Sequence, residues 1–277
     1  MLEFLFVVKV LNHKDSDMPQ RHDLLELAHA FGNPANELCI FAEGNVSCRG
    51  EPGTFWIKGS GQGMEHITSA GFVEVRSEPV LAMLDSPPSD EAEVRECLNR
   101  ARSDPANRQV PSTEAFMHAF LLSQPETNFV GHAHPTSLLS LLFLEVAKDL
   151  AVQRWFPDEI VCCGPASCYV RYVAPGLPLA VEIRKAVASF INEWGKAPKT
   201  LWLQNHGLIC VGSTPSEVHC AAMMSIKAAK AVLGALQTGK PLRPLTKEEV
   251  AQISAWPDEH YRQRLLFAAS HVNPTGR

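Results

Sequence analysis

A mixed α/β fold carried by one domain is what this sequence predicts, and three observations carry the prediction. Short runs rich in Val, Ile, Phe and Cys alternate along the chain with segments of helical period. No internal repeat, low-complexity block or long linker divides its 277 residues. Apolar residues make up 45% of the chain and charged residues 20%, the balance of an ordinary globular protein with an extensive core.

Taken in order, the opening run "MLEFLFVVKVLN" reads as a first strand, because it carries Glu3 and Lys9 and lacks the basic leader and small-residue cleavage pattern of a signal peptide. "RHDLLELAHAFG" reads as a helix ended by Gly32, and "ELCIFAEGNVSCRG" and "TFWIKGSG" as strands or strand-turn segments with glycines at their ends. "PPSDEAEVRECLNRARS" is a surface helix, with Ser89-Asp90-Glu91 as cap and acidic first turn and basic residues at its close, as the helix dipole prefers. A further helix starts near Pro111-Ser112 and runs through "TEAFMHAFLLSQ" into a strand at "NFVGHAHP" and an apolar helix at "TSLLSLLFLEVAKDL". "GLPLAVEIRKAVASFINEW" is helical, "TLWLQNHGLICVG" is a strand broken at Asn205-His206-Gly207, and "TPSEVHCAAMMSIKAAKAVLGALQTG" is a long capped helix.

A net charge of -5 gives no electrostatic reason to expect a nucleic-acid partner. The eight cysteines are scattered, with no C-x-x-C pair and no tight framework, which fits buried thiols in a reducing compartment and points to the cytoplasm. No apolar run reaches membrane-spanning length, "SLLSLLFLEV" being too short, so no membrane partner is expected.

The chemistry-bearing residues begin with "VGHAHP", where His132 and His134 flank one alanine. In an extended backbone both rings project from the same face, at a separation one divalent ion bridges with bonds of roughly 2.0–2.1 Å for zinc. Two ligands hold a metal weakly, and the pair serves equally well as core histidines satisfied by backbone carbonyls. His206 offers a third ring where an apolar run ends at Gly207, although Asn-His-Gly by itself is an ordinary turn. Glu114 falls in or near the first turn of its helix, where the macrodipole favours a carboxylate with no catalysis involved. No capping box accounts for it, since neither Ser112 nor Thr113 is followed three places on by Glu or Gln. His118, four residues along the same helix face, reads as a core or hydrogen-bonding histidine rather than a ligand.

Four segments together, "EGNVSCR" (43–49), "FWIKGSG" (55–61), "PSTEAFMHAF…FVGHAHP" (111–135) and "LWLQNHGLICVGSTPSEV" (201–218), resemble the class II aldolase/adducin family in order and separation, over a span from about residue 22 to about residue 235. The resemblance implies a single three-layer α/β/α domain with a mostly antiparallel central sheet over residues 1–277, residues 236–277 forming a C-terminal helical extension. It implies a homo-oligomer, the family's ring-like homotetramer, with active sites between neighbouring subunits. Residue by residue, it implies His132, His134 and His206 as ligands of a divalent metal ion, zinc foremost, and Glu114 as catalytic base. Asn45, Ser47, Ser60, Gly61, Ser112 and Thr113 match the substrate- and phosphate-binding motifs, supplying hydroxyl, amide and backbone N–H donors in glycine-lined turns. The implied activity is a metal-dependent aldolase, a carbon–carbon lyase cleaving a small keto-sugar such as a ketose 1-phosphate. Breaking a carbon–carbon bond beside a carbonyl leaves an enediolate whose charge must be held, and a cation on three neutral imidazoles keeps its full field for that purpose without a lysine Schiff base.

The turn Lys58-Gly59-Ser60-Gly61 stands where many sugar-phosphate aldolases of the family carry Thr-Pro-Ser/Thr-Gly. In this respect the chain looks closer to the rhamnulose-phosphate aldolase portion of bifunctional aldolase–dehydrogenases, though no nucleotide-binding glycine motif follows. Tyr169, Tyr172 and Tyr261 do not align with the tyrosine that donates a proton in some relatives. Rival readings are decarboxylation of a 3-oxo acid phosphate, epimerisation at C4 of a pentulose phosphate, against which Glu114 stands because the matching epimerase motif carries Asp, and a non-catalytic adducin-like binding module.

Overall fold

The computed structural model describes residues 19–88 and 90–256. The strand expected in the opening apolar run, Ser89 of the expected cap, Tyr261 and residues 257–277 of the expected C-terminal extension lie outside the described residues. Seven strands among them, β1 (Asn45–Arg49), β2 (Thr54–Lys58), β3 (Phe72–Arg76), β4 (Phe129–Ala133), β5 (Cys168–Val170), β6 (Thr200–Leu203) and β7 (Gly207–Gly212), form one sheet in the order β3-β2-β1-β4-β7-β6-β5. Every neighbouring pair is antiparallel except β5 with β6.

Ten α-helices among the described residues accompany the sheet: α1 (Pro19–Gly32), α2 (Ser77–Asp85), α3 (Glu91–Ala101), α4 (Ala115–Leu122), α5 (Thr136–Leu142), α6 (Ala147–Val152), α7 (Pro157–Cys163), α8 (Leu177–Trp194), α9 (Pro215–Leu236) and α10 (Lys247–Ser254). The period-two alternation of the strands sorts the core into two halves. Val46, Cys48, Phe129, Ala133, Leu208 and Cys210 pack with α1, α5 and α9 on one face. Ile57, Val130, Leu203, Ile209 and Val211 pack with α4 and α8 on the other. Three layers result, as the resemblance implied.

Close packing fixes the central strand. Phe31 of α1 lies against Gly131, where an added Cβ would come 2.3 Å from the ring's Cζ, so only glycine admits this helix to the sheet. The buried ring contributes about 1.5–3 kcal/mol of transfer free energy, and the contact clamps the backbone immediately before His132.

Four sequence expectations change. "TLWLQNHGLICVG" is two strands, not one interrupted strand: Asn205 takes a left-handed φ of 52° and turns the chain so that β6 and β7 pair as a hairpin. The helix expected from Pro111-Ser112 begins at Ala115, because Pro111 is held extended in a bridge to Gly59 and Glu114 occupies the N-cap position. The apolar helix at 136–150 is broken into α5 and α6, the chain tightening through three-residue bonds from Leu144 to Leu141 and from Ala147 to Leu144. Contrary to the expectation that no apolar run reaches spanning length, α9 is long and apolar enough to cross a membrane; here it is a core helix, burying Val218, Ala222, Ile226 and Ala229. At the surface helix, Asp90 is the cap, its side chain accepting from the Ala92 N–H.

Candidate active site

The antiparallel register of β4 with β7 brings the candidate ligands together. His132 lies opposite Ile209 and Ala133 opposite Leu208, which carries the turn before β7, and with it His206, up to the end of β4. The His134 N–H donates to Leu38 O at 3.1 Å, fixing the residue just past the strand. One ligand atom from each of His132, His134 and His206 falls within 4.8 Å of the others, and the ring centroids stand 4.7–5.1 Å apart. Gly207 makes the approach possible: a Cβ there would lie 2.4 Å from Ala133 O and 2.7 Å from His134 Cδ2.

Hydrogen bonding assigns the protons. His132 Nδ1 faces Leu208 O at 2.9 Å, and a carbonyl only accepts, so Nδ1 carries hydrogen. Burial pushes the pKa of His132 down to about 4, so the ring is neutral and its Nε2 is a bare lone pair, directed at His134 Nε2 3.0 Å away. Burial, then the neighbouring rings, bring His134 to about 4 as well. A backbone carbonyl orienting one nitrogen while the other points into a shared space is the habit of a metal-ligating histidine. The donor set therefore fits a divalent ion of the zinc type.

Glu114 stands beside this cluster, 13% exposed, its Oε1 3.3 Å from His206 Nε2 and 3.5 Å from His132 Nε2. It occupies an N-cap position without capping; its side chain turns into the site instead. Burial acts to raise its pKa, yet His132, the hydrogen bond and charge of His206, and a hydrogen bond from Asn45 together hold the carboxyl below the usual carboxylate range.

The other sequence candidates occupy three joined segments. Asn45 lies opposite His132 in the β1–β4 register, and its Nδ2 donates to Glu114 Oε2 at 2.7 Å and to Ser112 Oγ at 3.4 Å. Ser60 and Gly61 form the turn after β2, bound to the segment before α4 by the Ser60 N–H donating to Val110 O at 2.8 Å. That N–H is thus engaged, while the Ser60 side chain is exposed, as are Gly61 and Thr113. Gly61 holds a positive φ of 75°. Ser47 differs: it is fully buried, its hydroxyl 2.6 Å from His118 Nδ1, and it touches no open space.

One further residue escaped the sequence reading. Lys58 is 2% exposed and donates to Ala42 O at 2.8 Å and Gln62 O at 2.7 Å, tying the loop before β1 to the turn after β2. Its position inside "WIKGSG" was visible, but not its inward course. His118 is a buried hydrogen-bonding histidine, as its sequence position suggests; its partners Ser47 and Asn45 come from a strand distant in sequence.

The model of a family described as "Class II Aldolase and Adducin N-terminal domain" matches residues 22–233. No curated protein matches the chain. Among solved structures, the N-terminal class II aldolase domain of a conserved protein from Thermoplasma acidophilum is 23% identical with a TM-score of 0.61, over 84% of this chain and 97% of that one. An L-fuculose 1-phosphate aldolase is 17% identical with a TM-score of 0.63, over 87% and 95%. YgbL from Escherichia coli, whose description leaves aldolase, epimerase and decarboxylase as candidate activities, is 18% identical with a TM-score of 0.61, over 85% and 97%. At these identities the likeness is one of fold.

Proposed function

The chain belongs to the class II aldolase and adducin family, and from that footing we propose that it is a metal-dependent lyase breaking a carbon–carbon bond in a small hydroxylated keto compound, a ketose 1-phosphate being the leading class. One observation carries the reading: three imidazoles with a ligand atom each inside 4.8 Å, and a carboxylate oxygen within 3.5 Å of two of them. An adducin-like scaffold has no physical use for such a grouping, since drawing three imidazoles and a carboxyl together away from water costs folding energy that a binding module need not spend.

In this proposal His132, His134 and His206 hold the ion, zinc by preference for an all-imidazole set. When bound, it supplies a Lewis acid that draws electron density from the substrate carbonyl. As the carbon–carbon bond breaks, Glu114 moves the proton through Oε1, the oxygen facing the rings, taking it from the hydroxyl that becomes the aldehyde and delivering it to the carbon that loses its partner, while Asn45 holds Oε2. The exposed Ser60 side chain, with Gly61, Ser112 and Thr113, orients the anionic end of the substrate. Ser47 acts from beneath through His118 rather than by touching the substrate. The ketose 1-phosphate class draws on the fold shared with an L-fuculose 1-phosphate aldolase. Assembly as a homotetramer follows the family habit, and a cytoplasmic location fits eight cysteines that form no disulfide.

The test is a panel of ketose 1-phosphates and 3-oxo acid phosphates offered to the purified, metal-loaded protein, with aldehyde and carbon dioxide read separately. Aldehyde release abolished by a chelator and restored by a divalent ion is the expected result. Carbon dioxide release instead assigns decarboxylation, and absence of any bound ion with no activity rescued by one assigns the scaffold.

A further inference from the structure

We propose that His118 is a positioning residue of this site: held as its Nε2–H tautomer, it fixes the Asn45 amide so that its N–H group, and not its carbonyl, meets Glu114. The proposal rests on the reading of Glu114 as the base, and it involves four buried or half-buried side chains, Ser47, His118, Asn45 and Glu114.

Asn45 Nδ2 donates to Glu114 Oε2 at 2.7 Å and to Ser112 Oγ at 3.4 Å, so the amide stands with its nitrogen toward the carboxylate. The amide oxygen is thereby turned to His118 Nε2, with which it is in hydrogen-bond contact. An amide oxygen also only accepts, so Nε2 carries the hydrogen. Burial keeps the ring neutral, leaving Nδ1 bare to accept from the Ser47 hydroxyl at 2.6 Å. Donation therefore runs one way, from Ser47 to His118, from His118 to Asn45 and from Asn45 to Glu114.

The arrangement has no slack. Ser47 and His118 are 0% exposed and Asn45 is 2% exposed, so water has little access to replace a lost partner. Turning the Asn45 amide over would set oxygen against oxygen at Glu114 and donor against donor at His118, leaving buried groups unsatisfied. His118 comes from α4, one turn beyond Glu114, while Ser47 and Asn45 alternate on the α4-facing side of β1. Its helix neighbours Ala115, Ala119 and Leu122 all belong to the apolar core. The polar ring there is explained by what it does to Asn45, and through Asn45 to the carboxylate oxygen that faces the three imidazoles.

Two measurements test this. Long-range 1H–15N spectra of the metal-loaded protein should show His118 protonated at Nε2 and bare at Nδ1; protonation at Nδ1 overturns the proposal and needs no substrate to detect. On the substrate found by the panel, His118→Asn, whose amide reaches only the Nδ1 position, should lower kcat by about 10- to 100-fold with KM and bound metal unchanged. His118→Gln, whose amide nitrogen reaches the Nε2 position, should restore most of that loss. Parental kcat in His118→Asn, or His118→Gln as slow as His118→Asn, overturns the positioning role. If the parent turns over nothing in the panel, the lyase reading fails by itself. The His118 proposal is then decided by solvent exchange of the Asn45 side-chain amide: slow in the parent and in His118→Gln but fast in His118→Asn supports it, and equal rates overturn it. Should His118→Asn not fold, Ser47→Ala takes its place, with a mixture of His118 tautomers and a severalfold lower kcat expected and an unchanged tautomer with parental kcat counting against the relay.

Discussion

The Nε2 atoms of His132 and His134 face each other at 3.0 Å, although one ring hangs from the interior of β4 and the other from the residue after its end. Since the His132 nitrogen is a bare lone pair, a cation between the rings satisfies both at once. One equivalent of divalent metal per chain is expected in the parent by elemental analysis. His134→Ala and His206→Ala should each weaken binding by more than the about 10- to 100-fold that loss of an outer partner costs. Parental metal content in either variant would contradict the assignment.

Glu114→Gln removes the basic oxygen and keeps the side chain's shape. Metal content should stay at one equivalent, and kcat should fall by about 10²- to 10⁴-fold, the usual contribution of a positioned base. A variant turning over the identified substrate at the parental rate would mean that another group moves the proton.

Acid should unfold the metal-free protein in a definite window. His118, His132 and His134 have pKa values depressed from 6.5 to about 4, so between those limits the unfolded chain binds protons that the folded chain refuses. The stability is therefore fully present above pH 6.5 and is lost as pH falls through about 4, each ring adding a slope of up to about 1.4 kcal/mol per pH unit. Glu114, whose carboxyl is held below its ordinary value of 4.5, adds to the loss from about pH 4.5 downward. Urea midpoints measured across the window should fall with acid, less steeply in His118→Gln by one ring's share; a flat profile would refute the protonation states given above.

Gly207→Ala drives a methyl group to within 2.4 Å of Ala133 O. A stability loss of about 1–3 kcal/mol is expected from such overpacking, with weaker metal binding because His134 Cδ2 lies on the collision path. Thermal melts and metal titrations on the same preparation check both, and an unchanged metal affinity would show that the ligand cluster tolerates a wider hairpin.

The legible parts of the fold were those with long period or clear punctuation. α1, α8 and α9 carry helical spacing and end signals over 14, 18 and 22 residues. What escaped was short or unpunctuated. α2 begins at Ser77, directly after β3 ends at Arg76, so no turn residue separates them. β5 has 3 residues and α7 has 7, too few for a period to declare itself. In the site, His132, His134 and Glu114 could be picked out locally, but the convergence of His206 on them depends on the pairing of β4 with β7, which no single segment encodes. The inward turn of Lys58 and the burial of Ser47 likewise depend on neighbours supplied by other segments.

The three rings are borne by one antiparallel pair at the heart of the sheet, β4 and β7, and by the residues at their ends. Glu114, Ser60, Gly61 and Thr113 are instead borne on connections at its rim. Insertions or deletions in those connections can reshape what fits above the rings without disturbing a rung of the ladder. Such an architecture lets the surroundings of the three rings vary in length and chemistry while the hydrogen-bonded ladder that brings the rings together is kept.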